Sequence, residues 1–302
     1  MYQEKDPIQN LIHLHVDGAF NRRELIERLV KYTGSVAAAT AAVEGAGLLH
    51  AQTPACPAGV RVSEDDPGIS AGMVTMHGEG GPLFAYQVLP RHVELPRPAV
   101  IVIHENRGLN EHIKDVTRRA AKAGFVALGI DLLSRQGGTD QFPDPVAAGA
   151  AYNRTQTLER REDMRSALLT LRDQSYVLGG RVGAVGFCAG GQNCFDLAIN
   201  SPELTAAAVF YGNVPNPADA IQSMRPALIG FFGELDRNLN TGLPRLLTAL
   251  QATQRVYSLH VYEGARHAFH NDTGAAYDPA AACDAWAKAM EFFGRHLDAP
   301  RV

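Results

Sequence analysis

The sequence predicts an α/β fold: a mostly parallel twisted sheet of about eight strands with helices on both faces, preceded by an N-terminal helical arm. Three observations carry this expectation. From about Gly72 onward, apolar runs alternate with stretches of helical period at a spacing that suits strand–crossover–strand units. The run Ala99-Val100-Ile101-Val102-Ile103 is continuously apolar, as a strand covered on both faces must be. Finally, Val185-Gly186-Phe187-Cys188-Ala189-Gly190-Gly191 sets a glycine-flanked turn between an apolar strand and a helix-compatible segment.

Taken in chain order, Arg22 to Thr33 reads as a helix because Leu25, Leu29 and Tyr32 recur at helical spacing. A targeting reading competes with it. Asn21-Arg22-Arg23-Glu24-Leu25-Ile26 precedes an Ala-rich stretch and His50-Ala51-Gln52, in loose imitation of a twin-arginine leader. Against it, Glu27, Arg28, Lys31 and Glu44 put charge where an apolar region belongs. Residues 33–43 also fall short of the roughly 18–20 residues of a membrane span. A retained arm on a cytoplasmic protein is therefore the expectation, with export to the periplasm as the alternative. Gln52 to Ser70 carries three prolines, two glycines and an acidic cluster, and reads as a linker. The division is residues 1–70 as arm and 71–302 as catalytic domain.

Met73–His77 and Phe84–Leu89 flank a Gly-rich turn and predict an antiparallel hairpin. After the Ala99–Ile103 strand, Asn110 caps a helix whose Ile113, Val116 and Ala120 share a face, ending near Gly124. Strands follow at Phe125–Ile130, Val182–Phe187, Ala206–Phe210, Ala227–Phe232 and Tyr257–Tyr262. A helix through Met164, Ala167, Leu168 and Leu171 separates the first two. Asp278-Pro279 opens the last helix, which presents Trp286, Met290, Phe293 and Leu297 on one side.

The composition narrows the function class. The 302 residues are 46% hydrophobic and 20% charged, enough for a full core and too apolar for disorder. A formal charge of −4 without a basic block argues against nucleic acid as a partner. Cys56, Cys188, Cys194 and Cys283 form no C-x-x-C pair and read as reduced thiols. No metal or organic cofactor is expected. Oligomeric state is left open by the sequence.

In a parallel sheet, chemistry gathers at the carboxyl ends of the strands. There, Gly186-Phe187-Cys188-Ala189-Gly190 has the form of a nucleophile elbow with sulfur in place of hydroxyl. The turn aims Cys188 at a helix N-terminus, whose partial positive charge favours thiolate. A structural cysteine in a Gly-rich turn is the bland alternative. Downstream residues decide for chemistry: Asp236 lies 48 residues beyond Cys188, after a strand, and His267 lies 31 beyond that, after the next. Nucleophile, acid and histidine follow in the required chain order. Glu234 is the other candidate acid and His270 the other candidate base.

These residues, together with Val102-Ile103-His104-Glu105-Asn106-Arg107-Gly108-Leu109-Asn110, Asp131-Leu132-Leu133-Ser134-Arg135, Phe210-Tyr211-Gly212 and Tyr262 to Phe269, resemble the dienelactone hydrolase (carboxymethylenebutenolidase) family of α/β-hydrolases from about Gly72 to Leu297. The resemblance implies an α/β-hydrolase fold and a cysteine hydrolase of small esters or lactones acting through an acyl-thioester. It implies that Glu105 helps take the thiol proton and that the backbone N–H groups of Asn106 and Ala189 form an oxyanion hole. It implies that Arg135 grips a substrate carboxylate, with Tyr211 lining the site. A second family arginine, four residues after the histidine, is replaced here by Asn271. Asn271 can hydrogen-bond a carboxylate without neutralising it, and a protonated His270 could compensate. Cysteine suits activated, enol-type leaving groups, because a thiolate attacks readily but is also expelled readily.

Four other readings compete. A Cys-elbow amidotransferase would carry an acid two residues after its histidine, where Phe269 stands. A thiol sensor would need an accessible resolving cysteine, and Cys194 is out of line with Cys188. A non-catalytic binding protein would have no reason to keep Cys, Asp and His in register, and a thioesterase or esterase of another small acyl group differs only in substrate.

Overall fold

The computed structural model describes residues 11, 22–35, 48–49, 61–91 and 93–297. A single sheet runs in the order β1-β9-β8-β7-β6-β4-β5-β3-β2. The strands are β1 (Leu48–Leu49), β2 (Ile69–Gly78), β3 (Gly81–Pro90), β4 (Arg97–Ile103), β5 (Val126–Ile130), β6 (Val177–Phe187), β7 (Ala206–Phe210), β8 (Ala227–Gly233) and β9 (Tyr257–Tyr262). Strands β4 to β9 pair parallel, β2 and β3 form an antiparallel hairpin, and β3 pairs antiparallel with β5. The eight strands expected are all present, and the two-residue β1 adds a parallel rung at the β9 edge.

The helices are α1 (Arg22–Thr33), α2 (Glu111–Lys122), α3 (Pro145–Tyr152), α4 (Thr157–Arg172), α5 (Ala189–Asn200), α6 (Arg237–Asn240), α7 (Leu243–Gln251) and α8 (Pro279–Leu297). Their ends follow capping chemistry. The Asn110 side chain accepts the Ile113 N–H at 3.2 Å, and Asp278 accepts those of Ala280 and Ala281 at 3.1 and 3.0 Å. Helix α3 was not foreseen, because its Ala-rich sequence has almost no polar face. Its start is nevertheless marked by Asp144, which accepts from Val146 and Ala147 ahead of a proline at the first turn.

Every residue of β5 and β7, and Ala99 to Ile103 of β4, is buried. Successive side chains of a strand point to opposite faces, so the sheet centre is covered on both sides. Leu25 and Leu29 of α1 are fully buried in this same core, whereas Tyr32 is exposed. The pair Leu25 and Leu29, four apart, defines the buried stripe, and Tyr32 falls just off it. One expectation is corrected: Cys283 is disulfide-bonded, and only Cys188 and Cys194 are free among the described cysteines. Cys56, the leader-like residues Asn21 and His50 to Gln52, and the first part of the linker lie outside the described residues. Among the described residues, no helix is long and apolar enough to cross a membrane.

Candidate active site

Five neighbouring strands deliver the candidate residues to one rim of the sheet. Glu105 follows β4, Cys188 follows β6, Tyr211 follows β7, Asp236 follows β8 and His267 follows β9. Parallel pairing of β4, β6, β7, β8 and β9 puts all five carboxyl ends on the same side.

Cys188 sits at φ 55°, ψ −117°, a backbone conformation L-residues rarely adopt, between β6 and α5. The flanking glycines make the turn sterically feasible. A Cβ on Gly186 would lie 2.0 Å from the Gly190 carbonyl oxygen, and one on Gly190 would lie 2.3 Å from that of Ile103. The turn is therefore pressed against the end of β4, where Glu105 and Asn106 begin. Cys188 N–H donates to the Phe210 carbonyl at 3.0 Å, which ties the elbow to β7 as well.

His267 Nε2 lies 3.1 Å from Cys188 Sγ, and its Nδ1 lies 2.5 Å from Asp236 Oδ2. Bonding to Asp236, then to Cys188, pushes the imidazole up to about 10. Glu234, the competing acid, instead accepts the Gly264 N–H at 2.9 Å and so braces the loop that carries His267. His270, the competing base and suggested anion partner, takes neither role. It is buried among Phe187, Phe210 and Trp286, and burial holds it well below the ordinary histidine range, so no cation is available there.

Glu105 is 7% exposed. Its Oε2 accepts from Asn271 Nδ2 at 2.9 Å, while Oε1 is buried without a partner among the described residues. Burial raises its carboxyl above the usual range, opposed by the Asn271 hydrogen bond and by the charges of His267 and Arg107. Asn271 thus spends its amide on the protein's own carboxylate, and its Oδ1 accepts from Thr273. Ala189 is the first residue of α5, so its N–H has no acceptor within the helix. The Asn106 N–H makes no backbone hydrogen bond with a described residue. Tyr211, at φ 39°, rests its ring edge-on against His267 at 5.2 Å, with its buried hydroxyl unpartnered among the described residues.

Arg135 departs from its expected role. Its Nε and Nη2 bind Asp163 at 2.9–3.2 Å, Nη2 binds Glu162 at 2.8 Å, and its guanidinium packs over Gly80 of the β2–β3 turn. Two carboxylates of α4 occupy its Nε–Nη2 edge, one of the two edges with which it could grip a substrate anion. His104, which the sequence offers only within the family-like segment Val102 to Asn110, positions the site. Its Nδ1–H donates to the Glu105 carbonyl at 2.5 Å and its Nε2 accepts from Leu132 N–H at 3.0 Å, while burial keeps the ring neutral. Its fully apolar upstream strand was the one sequence signal that it would be buried. Among the described residues, no group of three His, Cys, Asp or Glu side chains is placed to hold a metal ion. Cys194 is buried, and burial pushes its thiol up to about 12, which leaves it inert.

Over most of its length the chain is similar to known proteins. The model of the dienelactone hydrolase family matches residues 83–297. A Saccharolobus solfataricus protein named "Putative carboxymethylenebutenolidase" is 32% identical over 251 residues, spanning 72% of this chain and 95% of its own. A Bradyrhizobium protein named "Probable 2-oxo-3-(5-oxofuran-2-ylidene)propanoate lactonase" is 34% identical over 219 residues, 68% of this chain and 86% of its own. The crystal structure of a "Putative Dienelactone Hydrolase" from Klebsiella pneumoniae superposes with a TM-score of 0.69 at 26% identity, covering 75% of this chain and 99% of that one.

Proposed function

The chain belongs to the dienelactone hydrolase family, with its α/β-hydrolase fold, and is a hydrolase acting on esters or lactones; from that premise we propose that Cys188 is the nucleophile and that turnover passes through an acyl-thioester. The observation that carries the reading is the continuous relay Asp236–His267–Cys188, at 2.5 and 3.1 Å, on a turn strained to present the sulfur.

In the proposed reaction His267, its pKa raised to about 10, already holds at Nε2 the proton it shares with Cys188, and the sulfur attacks the acyl carbonyl carbon as the thiolate of that pair. Asp236 holds the imidazole with Nε2 facing the sulfur and stabilises the imidazolium that forms. The carbonyl oxygen becomes an oxyanion held by the N–H groups of Ala189 and Asn106. Collapse expels the alkoxide or enolate, which takes the proton from His267, and leaves the acyl group on sulfur. Water then attacks the thioester with His267 as base, releasing the acid and restoring the thiol. Glu105, buried at the end of β4 and raised in pKa, is read as a second proton acceptor.

We read residues 71–302 as the catalytic unit and the first 70 as an arm that stays with it. Burial of Leu25 and Leu29 supports this. The decisive experiment is rapid-quench mass spectrometry of the intact protein during turnover of p-nitrophenyl acetate. One acetyl group should appear on the peptide holding Cys188, and Cys188→Ala should neither acylate nor turn over. Full esterase activity in Cys188→Ala would overturn the mechanism.

A further inference from the structure

The site as built has an anion problem. Arg135 is committed to Asp163 and Glu162, position 271 carries an amide, and His270 is buried and neutral. A further guanidinium follows the candidate oxyanion hole in the chain. Arg107 is exposed, makes no hydrogen bond or ion pair with a described residue, and lies one residue beyond Asn106 and two beyond Glu105. Its charge reaches Glu105. The loop that carries it is anchored at both ends: His104 grips the Glu105 carbonyl, and the Leu109 N–H donates to Thr139 Oγ1 at 2.8 Å. Gly108, between them, holds φ +78° against the Thr139 side chain, so the turn through Asn106 and Arg107 has little freedom to relocate.

We propose that Arg107 is the specificity-determining residue of this site: its guanidinium receives a carboxylate carried by the acyl substrate a few bonds from the scissile carbonyl. This rests on the hydrolase reading given above. Two features of the chain make the assignment coherent. Asn271 supplies Glu105 with a hydrogen bond but no charge, so no cation is consumed in holding that carboxylate. Glu105 itself is not within ion-pair distance of Arg107 among the described contacts, so the guanidinium fork stays open to a planar anion from solvent. An arginine adjacent in sequence to an oxyanion-hole N–H also has a built-in ruler. When the carbonyl oxygen sits against Asn106, the reach of one side chain sets where the second anion must lie.

The test compares a neutral ester, p-nitrophenyl acetate, with a half-ester, mono-p-nitrophenyl glutarate, using kcat/KM ratios that cancel any loss of folded enzyme. Arg107→Gln should lower the half-ester to acetate ratio by about 10- to 100-fold, the loss expected when hydrogen bonds to a charged group are removed. The loss should fall mainly on KM, Arg107→Lys should restore part of it, and Arg135→Gln should leave the ratio unchanged. An unchanged ratio in Arg107→Gln, or a selective loss in Arg135→Gln, overturns the proposal. A second readout does not depend on turnover: glutarate should slow iodoacetamide alkylation of Cys188 in the native protein and not in Arg107→Gln. If the native enzyme hydrolyses neither ester, the hydrolase mechanism fails while the protection experiment still decides Arg107. Equal protection in both proteins, or none in either, refutes it.

Discussion

Gly190→Ala places one methyl group where the geometry has no room for it. The added Cβ would stand 2.3 Å from the Ile103 carbonyl oxygen and 2.4 Å from that of His104, both backbone atoms at the end of β4. Real Cβ contacts do not fall below 3.0 Å, so the first turn of α5 must retreat from β4 by at least 0.7 Å. That retreat carries the Ala189 N–H away from the Asn106 N–H, because the two donors belong to the two elements being driven apart. Overpacking of this kind costs roughly 1–3 kcal/mol of stability. A displacement near 1 Å at reacting groups costs about 10²-fold in rate. The expected outcome is a folded protein with a modestly lower Tm and a kcat/KM for p-nitrophenyl acetate down about two orders of magnitude. Iodoacetamide should still alkylate Cys188, since the His267–Cys188 contact is not directly displaced. Unimpaired turnover with unchanged Tm would refute the steric account of the elbow, and loss of alkylation in step with turnover would refute the assignment of the defect to the oxyanion hole.

Asp236→Asn removes the leading cause of the raised His267 pKa, so the basic limb of kcat/KM should move down from near pH 10, with a rate loss of roughly 10²–10⁴-fold; a limb that stays in place counts against the relay. The same raised pKa stabilises the fold fully below pH 6.5 and ceases to do so as pH rises through about 10, so the Tm gap between native protein and Asp236→Asn should narrow across that window. Asn271→Ala deletes the hydrogen bond that lowers the Glu105 pKa, which should raise that pKa further and shift the acid limb of the pH–rate profile upward; an unmoved acid limb would show that Glu105 takes no part in the proton's path. Because Cys283 is disulfide-bonded, fewer than four thiols should titrate in guanidinium before reduction and four after it, and four before reduction would contradict the bond.

Much of the fold was legible because its signals are local. Ala206–Phe210 and Tyr257–Tyr262 stand where their apolar runs begin and end, and α2 starts at the asparagine that caps it. The glycines around Cys188 were readable for the same reason: a strand-to-helix turn this tight leaves no space for side chains on either side. Arg135 was not legible. Its partners lie 27 and 28 residues away on α4, and nothing in the loop that carries it announces two carboxylates overhead. His270 was misjudged on similar grounds, since only the packing of Phe187, Phe210 and Trp286 from β6, β7 and α8 seals it from water.

The order of residue types along the chain by itself determined the parallel sheet, the elbow, and the succession of sulfur, carboxylate and imidazole at strand ends. Those follow from periodicity, steric limits and connectivity, which act over a few residues at a time. Only the tertiary structure decided which charges face the reacting centre. Asp236 rather than Glu234 meets His267, Asn271 is spent on Glu105, Arg135 is claimed by α4, and Arg107 pairs with no described residue. Pairing of charges depends on distances between segments far apart in sequence and on the water excluded between them, and neither is written in local pattern.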